Sequence, residues 1–444
     1  MFIRFLEKKL STFKIVIIGF LGLILIGTLL LMLPVSVKDG CSASFVDALF
    51  TSTSAVCVTG LVVRDTAQYW SLFGQFVILI LIQTGGLGII SVAAFIAMVS
   101  KRKISLFQRS VLQDSISAHH IGGIIKTTIF IFKGALFVEV SGTLIMLPSF
   151  CSQYGLSGIW MSIFHSVSAF CNAGFDIMGD KTGPYSSLTS FAGNPGVVIP
   201  ICLLIIIGGI GFLTWEDIVA HKFHFRRYRM QSKVVLATTG ALIIIPMILL
   251  FLFEYNEGSI GDRILLSLFQ AITPRTAGFN TASFSSLSGA GSILLIVLML
   301  IGGSPGSTAG GMKTTTFAVL LASVFSVFRR KKNTQLFRRR IEECTIRNAT
   351  TVMLMYVTLP MICAVIISRV DQLPIGTCFF ETVSSIGTVG LSLGITPSLS
   401  ILSHLILILL MFFGRVGGLT LVYAAVNIKN SEVSQRPVEK IIVG

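Results

Sequence analysis

Long apolar stretches separated by short polar ones dominate the chain. Eight of them are about long enough to cross a bilayer as a helix, which takes roughly 20 apolar residues. They lie at about 15–34, 72–99, 127–148, 196–219, 234–253, 291–327, 349–368 and 401–427. Between the members of each successive pair lies a shorter semi-apolar stretch, such as 45–56 or 158–170. At about 12 residues these stretches are too short to span, so they predict re-entrant half-helices.

One short phrase recurs four times, each time between a half-helix and the following long helix. Its copies are SAVCVTGL ending at Leu61, SAFCNAGF ending at Phe175, ITPRTAGF ending at Phe279 and SSIGTVGL ending at Leu391. The glycines just before these last residues are spaced 114, 104 and 112 residues apart. Such regular spacing predicts four tandem repeats, each made of a helix, a half-helix, a glycine-bearing loop and a second helix.

The repeats predict an all-α integral membrane protein with eight spanning helices and four re-entrant half-helices in pseudo-fourfold arrangement around one pore. We place the repeats at 1–110, 111–230, 231–345 and 346–444. Composition agrees, because 53% of the residues are hydrophobic and only 12% are charged, against about 25% in soluble proteins. The first apolar run is too long for a signal peptide. The eight cysteines form no CxxC pair, so we expect neither disulfides nor a metal site beyond the transported cation.

Basic residues fall on alternate connections between the apolar runs. The amino-terminal arm, the 101–126, 221–233 and 329–347 connections and the tail together carry 25 of the 34 lysines and arginines. By the positive-inside rule these segments, and therefore both termini, are expected on the cytoplasmic side of the cell membrane. The net charge of +15 then reflects topology and contact with anionic lipid headgroups, and we expect no nucleic-acid partner.

The recurring phrase suggests a chemistry for the pore. A backbone that is neither helix nor sheet is tolerated at membrane depth only against protein or a watery cavity. Four such loops around one axis can present rings of carbonyls that replace the hydration shell of a cation, and glycine permits the required dihedrals. The carboxyl ends of the half-helices add partial negative charge. The alternative for any single copy is a glycine that merely ends a helix.

The third copy is unusual because Arg275 stands three residues before Gly278, where a cation path would seem to repel it. A fixed guanidinium can brace the loop from behind by donating to its carbonyls. The alternative is a direct regulator of ion entry. We predict the bracing role.

On these motifs the chain resembles the Trk/Ktr/HKT superfamily of cation transporters, whose fold is four membrane–pore–membrane repeats in one polypeptide. The resemblance covers essentially all 444 residues. It implies that the signature glycines and the residues ahead of them form one ion selectivity filter. In this sequence the implied filter residues are Val58, Thr59, Gly60, Asn172, Ala173, Gly174, Thr276, Ala277, Gly278, Thr388, Val389 and Gly390.

Within the superfamily, a serine in place of the first filter glycine marks sodium-preferring plant relatives, whereas Gly60 is present here. The resemblance therefore implies potassium as the transported ion, with sodium as an activator or co-ion. The first repeat also begins almost at the start of the sequence, without the additional helix pair of the TrkH branch. We therefore expect a membrane subunit of the KtrB type.

The second helix of the third repeat contains GGSPGSTAGGMKTTT at 302–316, which no helix can continue through. An unwound loop at this depth must lie against the pore, so we predict a gate, and the superfamily carries a flexible intramembrane loop here. A passive kink is the alternative. A nucleotide-binding P-loop is not, because Met312 stands where that motif needs lysine. The gate candidates are Gly302, Gly303, Ser304, Pro305, Gly306, Ser307, Thr308, Ala309, Gly310, Gly311 and Lys313.

Arg415 completes the predicted gate. It lies within the apolar run LILILLMFFGRVGGLTLVY, and an arginine inside a membrane helix is expensive and indicates function. The superfamily places an arginine here beside the intramembrane loop, where it would repel ions and donate to loop carbonyls. The alternative is an ion pair with Glu139 or Glu381. At comparable depth in the first two repeats, the small residues of QTGGLG and IGGIG predict close helix packing.

We therefore predict potassium uptake by channel-like permeation rather than an enzyme. His165 and Asp176 are the only residues that suggest an acid/base pair, and no HExxH or GxSxG motif occurs. The alternatives are a sodium-coupled or sodium-permeable transporter of the same fold and, less compatible with fourfold regularity, an alternating-access carrier. The resemblance further implies a homodimer on a cytosolic RCK/KTN-type ring subunit of the KtrA or TrkA type, which binds ATP or ADP.

Overall fold

The computed structural model describes residues 12–100, 110–113, 123–222, 224–282, 284 and 287–418. Within these residues the protein is mostly helical, as predicted. The only strands in the described part are β1 (Gln335–Leu336) and β2 (Arg339–Arg340), which pair antiparallel as a small hairpin.

The helices of the first two predicted repeats follow the expected order. Repeat 1 contains α1 (Thr12–Leu31), α2 (Phe45–Val56), α3 (Thr66–Tyr69), α4 (Leu72–Leu87) and α5 (Ile89–Val99). Repeat 2 contains α6 (Ile124–Tyr154), α7 (Ser157–Phe170), α8 (Gly179–Thr182), α9 (Pro195–Gly209) and α10 (Phe212–His221). The half-helices predicted at 45–56 and 158–170 are α2 and α7.

The last two repeats are built in the same way. Repeat 3 contains α11 (Met230–Phe253), α12 (Ile260–Ile272), α13 (Gly289–Leu300), α14 (Thr314–Phe328) and the hairpin. Repeat 4 contains α15 (Glu343–Asp371), α16 (Ile375–Gly387) and α17 (Ile401–Val416). Short 3₁₀ turns lie at Pro34–Ser36, Thr189–Phe191, Phe225–Arg227 and Thr396–Ser398.

The first helix of each repeat is long and apolar, and the second is broken. Among the described residues four unbroken helices can cross a membrane, namely α1, α6, α11 and α15. Two further spans are bent pairs, α4 with α5 and α9 with α10, each bent by 98°. In repeat 3 the break separates α13 from α14, and in repeat 4 α17 ends at a glycine. The second helices are thus not continuous rods.

Besides the close packing predicted for them, the glycine-rich segments of repeats 1 and 2 also bend the second helix. Gly88, Gly211 and Gly417 adopt φ of 87°, 90° and 91°, a region that favours glycine. Gly88 and Gly417 directly follow the last residue of a helix, and Gly211 directly precedes the first residue of α10. Close packing is also present, three residues earlier. A Cβ atom on Gly85, Gly208 or Gly414 would overlap a carbonyl oxygen of Val56, Phe170 or Ile386, respectively.

A polar cap starts the second helix of each repeat. Ser71, Ser288 and Ser400 accept hydrogen bonds from backbone amides of the first helical turn, and Asn194 does the same in repeat 2. Such caps satisfy amides that lack intrahelical partners and are worth about 1 kcal/mol each. The same local signal therefore sets the start of the same element in all four repeats.

The half-helices lie at the centre and join the repeats into a ring. Each contacts the second helix of the preceding repeat: α7 contacts α4, α12 contacts α9 and α16 contacts α13. The series closes because α2 of repeat 1 contacts α17 of repeat 4. This cyclic packing brings the four glycine-bearing loops toward a common axis.

Candidate functional site

The four predicted filter loops share one backbone conformation. In each copy the glycine and the residue two positions before it have positive φ. The values are 58° and 91° for Val58 and Gly60, 58° and 69° for Asn172 and Gly174, 66° and 78° for Thr276 and Gly278, and 50° and 90° for Thr388 and Gly390. Positive φ is uncommon outside glycine and costly for β-branched residues, so its repetition marks a shared constraint on the loops.

The four glycines meet in a closed ring. A Cβ atom added to Gly174 would lie 2.7 Å from the carbonyl oxygen of Ala277 and 2.8 Å from the Cα of Gly278. The same relation recurs in order around the ring, where a Cβ on Gly60, Gly278 or Gly390 would overlap the carbonyl oxygen of Ala173, Val389 or Thr59, respectively. All twelve predicted filter residues are therefore brought together, and the ring has no room for a side chain at the glycines.

A hydroxyl residue near the end of each half-helix holds its loop, and the sequence analysis missed this set. The backbone carbonyls of Ser54, Ser168, Thr273 and Ser384 accept from the amide just before the glycine at 2.8–2.9 Å. The Ser54 and Ser384 hydroxyls also accept from the glycine amides, both at 3.1 Å. Those of Ser168 and Thr273 donate to the carbonyl just after the glycine. The sequence does contain a signal for this set, because three of the four recurring phrases begin with serine.

A cavity of about 330 Å³ opens on the side of the ring where the chain continues after each glycine. It is lined by all four glycines together with Asp65 and Asp176. The Asp176 carboxylate accepts from the amide of Met178 at 3.0 Å. Burial, and secondarily the charge of Asp65, raises the pKa of Asp176 to about 7, against the opposing effect of the Met178 amide. An ion approaching the ring from this side passes these carboxylates.

The suspected pair of His165 and Asp176 is not a catalytic constellation. The His165 Nδ1 lies 2.8 Å from the carbonyl oxygen of Met161 within α7, and its ring stacks on Phe150 at 5.2 Å between centroids. Asp176 makes its own contacts in the cavity, as described above. The histidine is thus a packed residue of the half-helix.

Arg275 is buried behind the third loop, but its recorded contact differs from the predicted one. Its guanidinium donates to the hydroxyl of Thr239 on α11 at 3.3 Å. The expected donation to loop carbonyls is not among the hydrogen bonds of the described residues. Its backbone carbonyl instead accepts from the side-chain Nδ2 of Asn172 at 3.5 Å, which joins the second and third loops. The bracing role stays a prediction, with an α11 hydroxyl as the partner.

The predicted gate loop occupies the break at 301–313, on the half-helix side of the glycine ring. The Thr308 hydroxyl donates to the Phe170 carbonyl at 3.0 Å and to the Asn172 side chain at 3.1 Å. The loop amides of Ser304 and Thr308 donate to the carbonyls of Gly209 and Gly208. The loop is therefore bonded both to the second filter copy and to the glycines of the second repeat.

The remaining gate candidates hold the loop in shape. Gly302 donates to Met312 at 2.8 Å, Gly306 accepts from Phe212 at 2.7 Å, and the Ser307 hydroxyl donates to the Ser304 carbonyl. Gly303, Pro305, Ala309, Gly310 and Gly311 lie in the same break. The Lys313 ammonium turns back and donates to the carbonyls of Ala309 at 2.8 Å and Gly310 at 3.2 Å.

Arg415 joins the loop to the first repeat. Its guanidinium donates to the carbonyls of Thr308 and Gly85, and to that of Gly86 at 3.1 Å. Among the described residues, Arg415 makes neither of the alternative ion pairs, with Glu139 or with Glu381. Glu139 accepts from Gln83, and Glu381 accepts from Ser392, Leu393 and Thr396.

Comparison with known proteins gives matches over the whole chain. Residues 9–436 match the TrkH family, described as cation transport protein. The chain is 38% identical to the potassium/sodium uptake protein NtpJ of Enterococcus hirae, over 99% of this chain and 98% of the relative. It is 39% identical to the Ktr system potassium uptake protein B of Bacillus subtilis, over 95% and 94%.

A solved structure shares the fold. The potassium transporter TrkH from Vibrio parahaemolyticus superimposes with a TM-score of 0.75, over 93% of this chain and 84% of the other, at 20% identity. At that identity the likeness speaks for the architecture alone. It confirms the predicted fold class of helices and re-entrant half-helices.

Proposed function

Because the chain belongs to the TrkH family of cation transport proteins, we propose that it takes up potassium across the cytoplasmic membrane by channel-like permeation. The family membership and the apolar spans make it a multi-pass membrane transporter and not an enzyme. In the proposed mechanism the four loops form one selectivity filter of twelve residues. Both termini face the cytoplasm, following the distribution of basic residues.

The observation that carries this proposal is the closed ring of Gly60, Gly174, Gly278 and Gly390. Four loops with matching positive-φ positions present their backbones to one axis, and the half-helices end beside them. Carbonyl oxygens so placed replace the hydration shell of a monovalent cation, while the carboxyl-terminal helix ends favour positive charge. The outer cavity with Asp65 and Asp176 would concentrate cations at the entrance.

The gate in this proposal is the loop at 302–316 together with Arg415. The loop contacts the second filter copy through the Thr308 hydroxyl, and Arg415 donates to the Thr308 carbonyl. A guanidinium at this position repels cations below the filter. Opening would require the loop to release Asn172 and Arg415 to lose its carbonyl partners, which makes the described arrangement the closed one.

Control by a cytosolic subunit is part of the proposal. The Bacillus subtilis relative is named as protein B of a Ktr system, which supports a partner subunit. We propose a homodimer on an RCK/KTN-type ring of the KtrA or TrkA type, with ATP or ADP bound only to the ring. The chain itself would carry potassium, with sodium as an activator or co-ion.

Complementation of a potassium-uptake-deficient bacterium tests the main proposal. Growth at low potassium should depend on this chain and increase when a ring subunit is co-expressed. Failure to restore growth at verified membrane expression would refute potassium uptake. A second candidate, sodium permeation through the same fold, has support in the potassium/sodium name of the Enterococcus hirae relative. Sodium influx equal to rubidium influx in the complemented strain would favour it.

Replacing Gly60 by serine tests the shared filter. Gly60 has φ of 91°, and a Cβ there would overlap the Ala173 carbonyl, so the side chain must displace the second loop. We expect the preference for potassium over sodium to fall by about tenfold or more, because the ring geometry is shared by all copies. Flux assays with both ions measure this. Unchanged selectivity in a normally expressed variant would contradict a filter built from four loops.

A further inference from the structure

The connection between α14 and α15 forms a defined structure rather than a loose basic loop. Strands β1 and β2 pair through Gln335 with Arg340 and Leu336 with Arg339. Leu336 and the buried Ile341 pack with residues of α14 and α15 in a small apolar cluster. The hairpin is therefore anchored against the middle of α14 and the first turns of α15.

The turn of this hairpin is strained. Its two central residues, Phe337 and Arg338, adopt φ of 45° and 63°. A two-residue turn of this kind normally uses asparagine and glycine, because side chains resist the left-handed region. Phe337 packs edge-on against Phe225 of the preceding connection, with ring centroids 6.4 Å apart. Strained backbone positions of this sort cluster at functional sites.

A groove of about 260 Å³ lies between the hairpin and the end of α14. One part of its wall is apolar and contains Phe325 and Leu336. The other part contains the cations Arg329 and Lys331. The groove thus offers an apolar surface directly beside two positive charges.

The cations of the groove are uncompensated. The segment 329–340 contains seven lysines and arginines and no acidic residue. Neither Arg329 nor Lys331 makes an ion pair or a side-chain hydrogen bond with any residue that the structure describes. Arg340, by contrast, shares a separate groove with Glu342 and Glu343. Unpaired charges at this density call for an anion.

The apolar side of the groove continues onto a surface suited to acyl chains. Val324, Phe325, Val327 and Phe328 of the last turn of α14 are 47–77% exposed. They directly precede Arg329, so the change from apolar to cationic surface occurs within one residue. A soluble anion would use the charges alone, whereas a phospholipid would use both surfaces.

We propose that this groove binds the headgroup of an anionic phospholipid, with Arg329 and Lys331 holding the phosphate and the end of α14 contacting the acyl chains. The site goes beyond the proposed transport function, because it lies on the outer surface of the helix bundle and uses none of the filter or gate residues. Interfacial lysines and arginines attract anionic lipid, and the built groove adds a fixed position.

Lipid binding to the purified full-length chain tests this site. Native mass spectrometry would titrate the detergent-solubilised protein with phosphatidylglycerol and, separately, with phosphatidylcholine. We compare wild type, the groove variant Arg329→Gln/Lys331→Gln and the control Arg330→Gln/Lys332→Gln. The control removes the same charge from the same segment but from side chains outside the groove. We expect phosphatidylglycerol affinity to fall roughly thirtyfold in the groove variant and only slightly in the control.

Several results would overturn the proposal. Equal binding of the two lipids to wild type, or equal losses in the two variants, would reduce the site to diffuse surface charge. Displacement of the lipid by millimolar inorganic phosphate would indicate a free-anion site. Normal lipid binding by the groove variant, together with loss of stimulation by a ring subunit, would make this surface a protein interface. Circular dichroism of both variants checks that the substitutions leave the fold intact.

Discussion

At the scale of single residues, the loops depend on groups with no direct access to the ion. Ser54, Ser168, Thr273 and Ser384 hold the backbone around each glycine, and two of them do so through the glycine amide itself. The loop dihedrals are unfavourable for valine, asparagine and threonine, so they persist only while the surroundings fix them. The hydroxyl residues supply part of that fixation.

The serine pair at the end of α16 allows a matched test of this role. Ser384 accepts from the Gly390 amide, whereas the hydroxyl of adjacent Ser385 donates within the helix to Glu381. We expect Ser384→Ala to lower potassium preference over sodium roughly fivefold, since one buried hydrogen bond is worth about 1 kcal/mol. Ser385→Ala should leave it unchanged. Equal preference for potassium over sodium in both variants, measured in ion-flux assays, would show that the Ser384 hydroxyl does not support the filter.

Asp176 predicts a dependence of uptake on external pH. Its pKa of about 7 means that the carboxyl is neutral at lower pH and negative at higher pH, so the cavity loses a charge on acidification. The KM for potassium should rise roughly fivefold from pH 8 to pH 6, since a nearby unit charge in water is worth on the order of 1 kcal/mol.

Asp176→Asn should remove most of this dependence and give, at pH 8, the KM that wild type shows at pH 6. Asp180→Asn is the control, because Asp180 pairs with Lys38 and does not line the cavity. Initial rates of rubidium uptake at several external pH values measure the effect. A pH profile of Asp176→Asn that matches wild type would assign the titration to another group.

At the scale of elements, the second helix is where the repeats differ. In repeats 1 and 2 it bends at Gly88 or Gly211 and resumes at once, whereas in repeat 3 it opens into the loop at 301–313. Proline and clustered glycines prevent the helix from resuming earlier. The break only bends the second helix in repeats 1 and 2. In repeat 3 it is a loop long enough to contact the filter.

Deleting Ser304 to Ala309 tests the loop as an obstruction. The deletion removes the Thr308 contacts with Phe170 and Asn172 and one acceptor of Arg415. We expect uptake to rise several-fold at equal membrane expression, with selectivity retained, because the filter loops themselves are intact. Thr308→Val is a milder companion that removes only the hydroxyl and should shift uptake in the same direction. A folded deletion variant with wild-type flux would refute the gate.

At the scale of the whole molecule, Arg415 connects three repeats at one point. It extends from α17 in repeat 4 to the loop of repeat 3 and to the carbonyls of Gly85 and Gly86 in repeat 1. The cyclic packing of half-helices against neighbouring second helices makes this geometry available. A change at one quarter of the ring can therefore be transmitted to the others.

Replacing Arg415 by alanine separates gating from simple support. The loss of its positive charge and of its bonds to the loop should increase flux, by roughly tenfold if about 1.4 kcal/mol of closed-state preference is lost. Lys313→Ala is the comparison, since the Lys313 ammonium bonds to its own loop in the described part of the chain and its loss should have a smaller effect. A decrease in Arg415→Ala at normal expression would favour a structural role.

Much of the architecture follows from local patterns. The half-helix predicted at 45–56 is α2 with the same bounds, and the break predicted at 302–316 is found at 301–313. The bends at Gly88 and Gly211 were missed, because apolar composition is the same on either side of a bend. The hydroxyl supports were missed because their role depends on which amide lies opposite.

The sequence by itself determined the membrane class, the fourfold repeat and the glycines, because length, hydropathy and spacing are properties of the chain alone. Only the tertiary structure decided how those glycines close into a ring and which partners the buried arginines take. Arg415 bonds to carbonyls instead of Glu139 or Glu381, and Arg275 bonds to Thr239. Carbonyls exist at every residue, so sequence offers no signal for which of them a guanidinium will reach; the packing of distant repeats makes that choice.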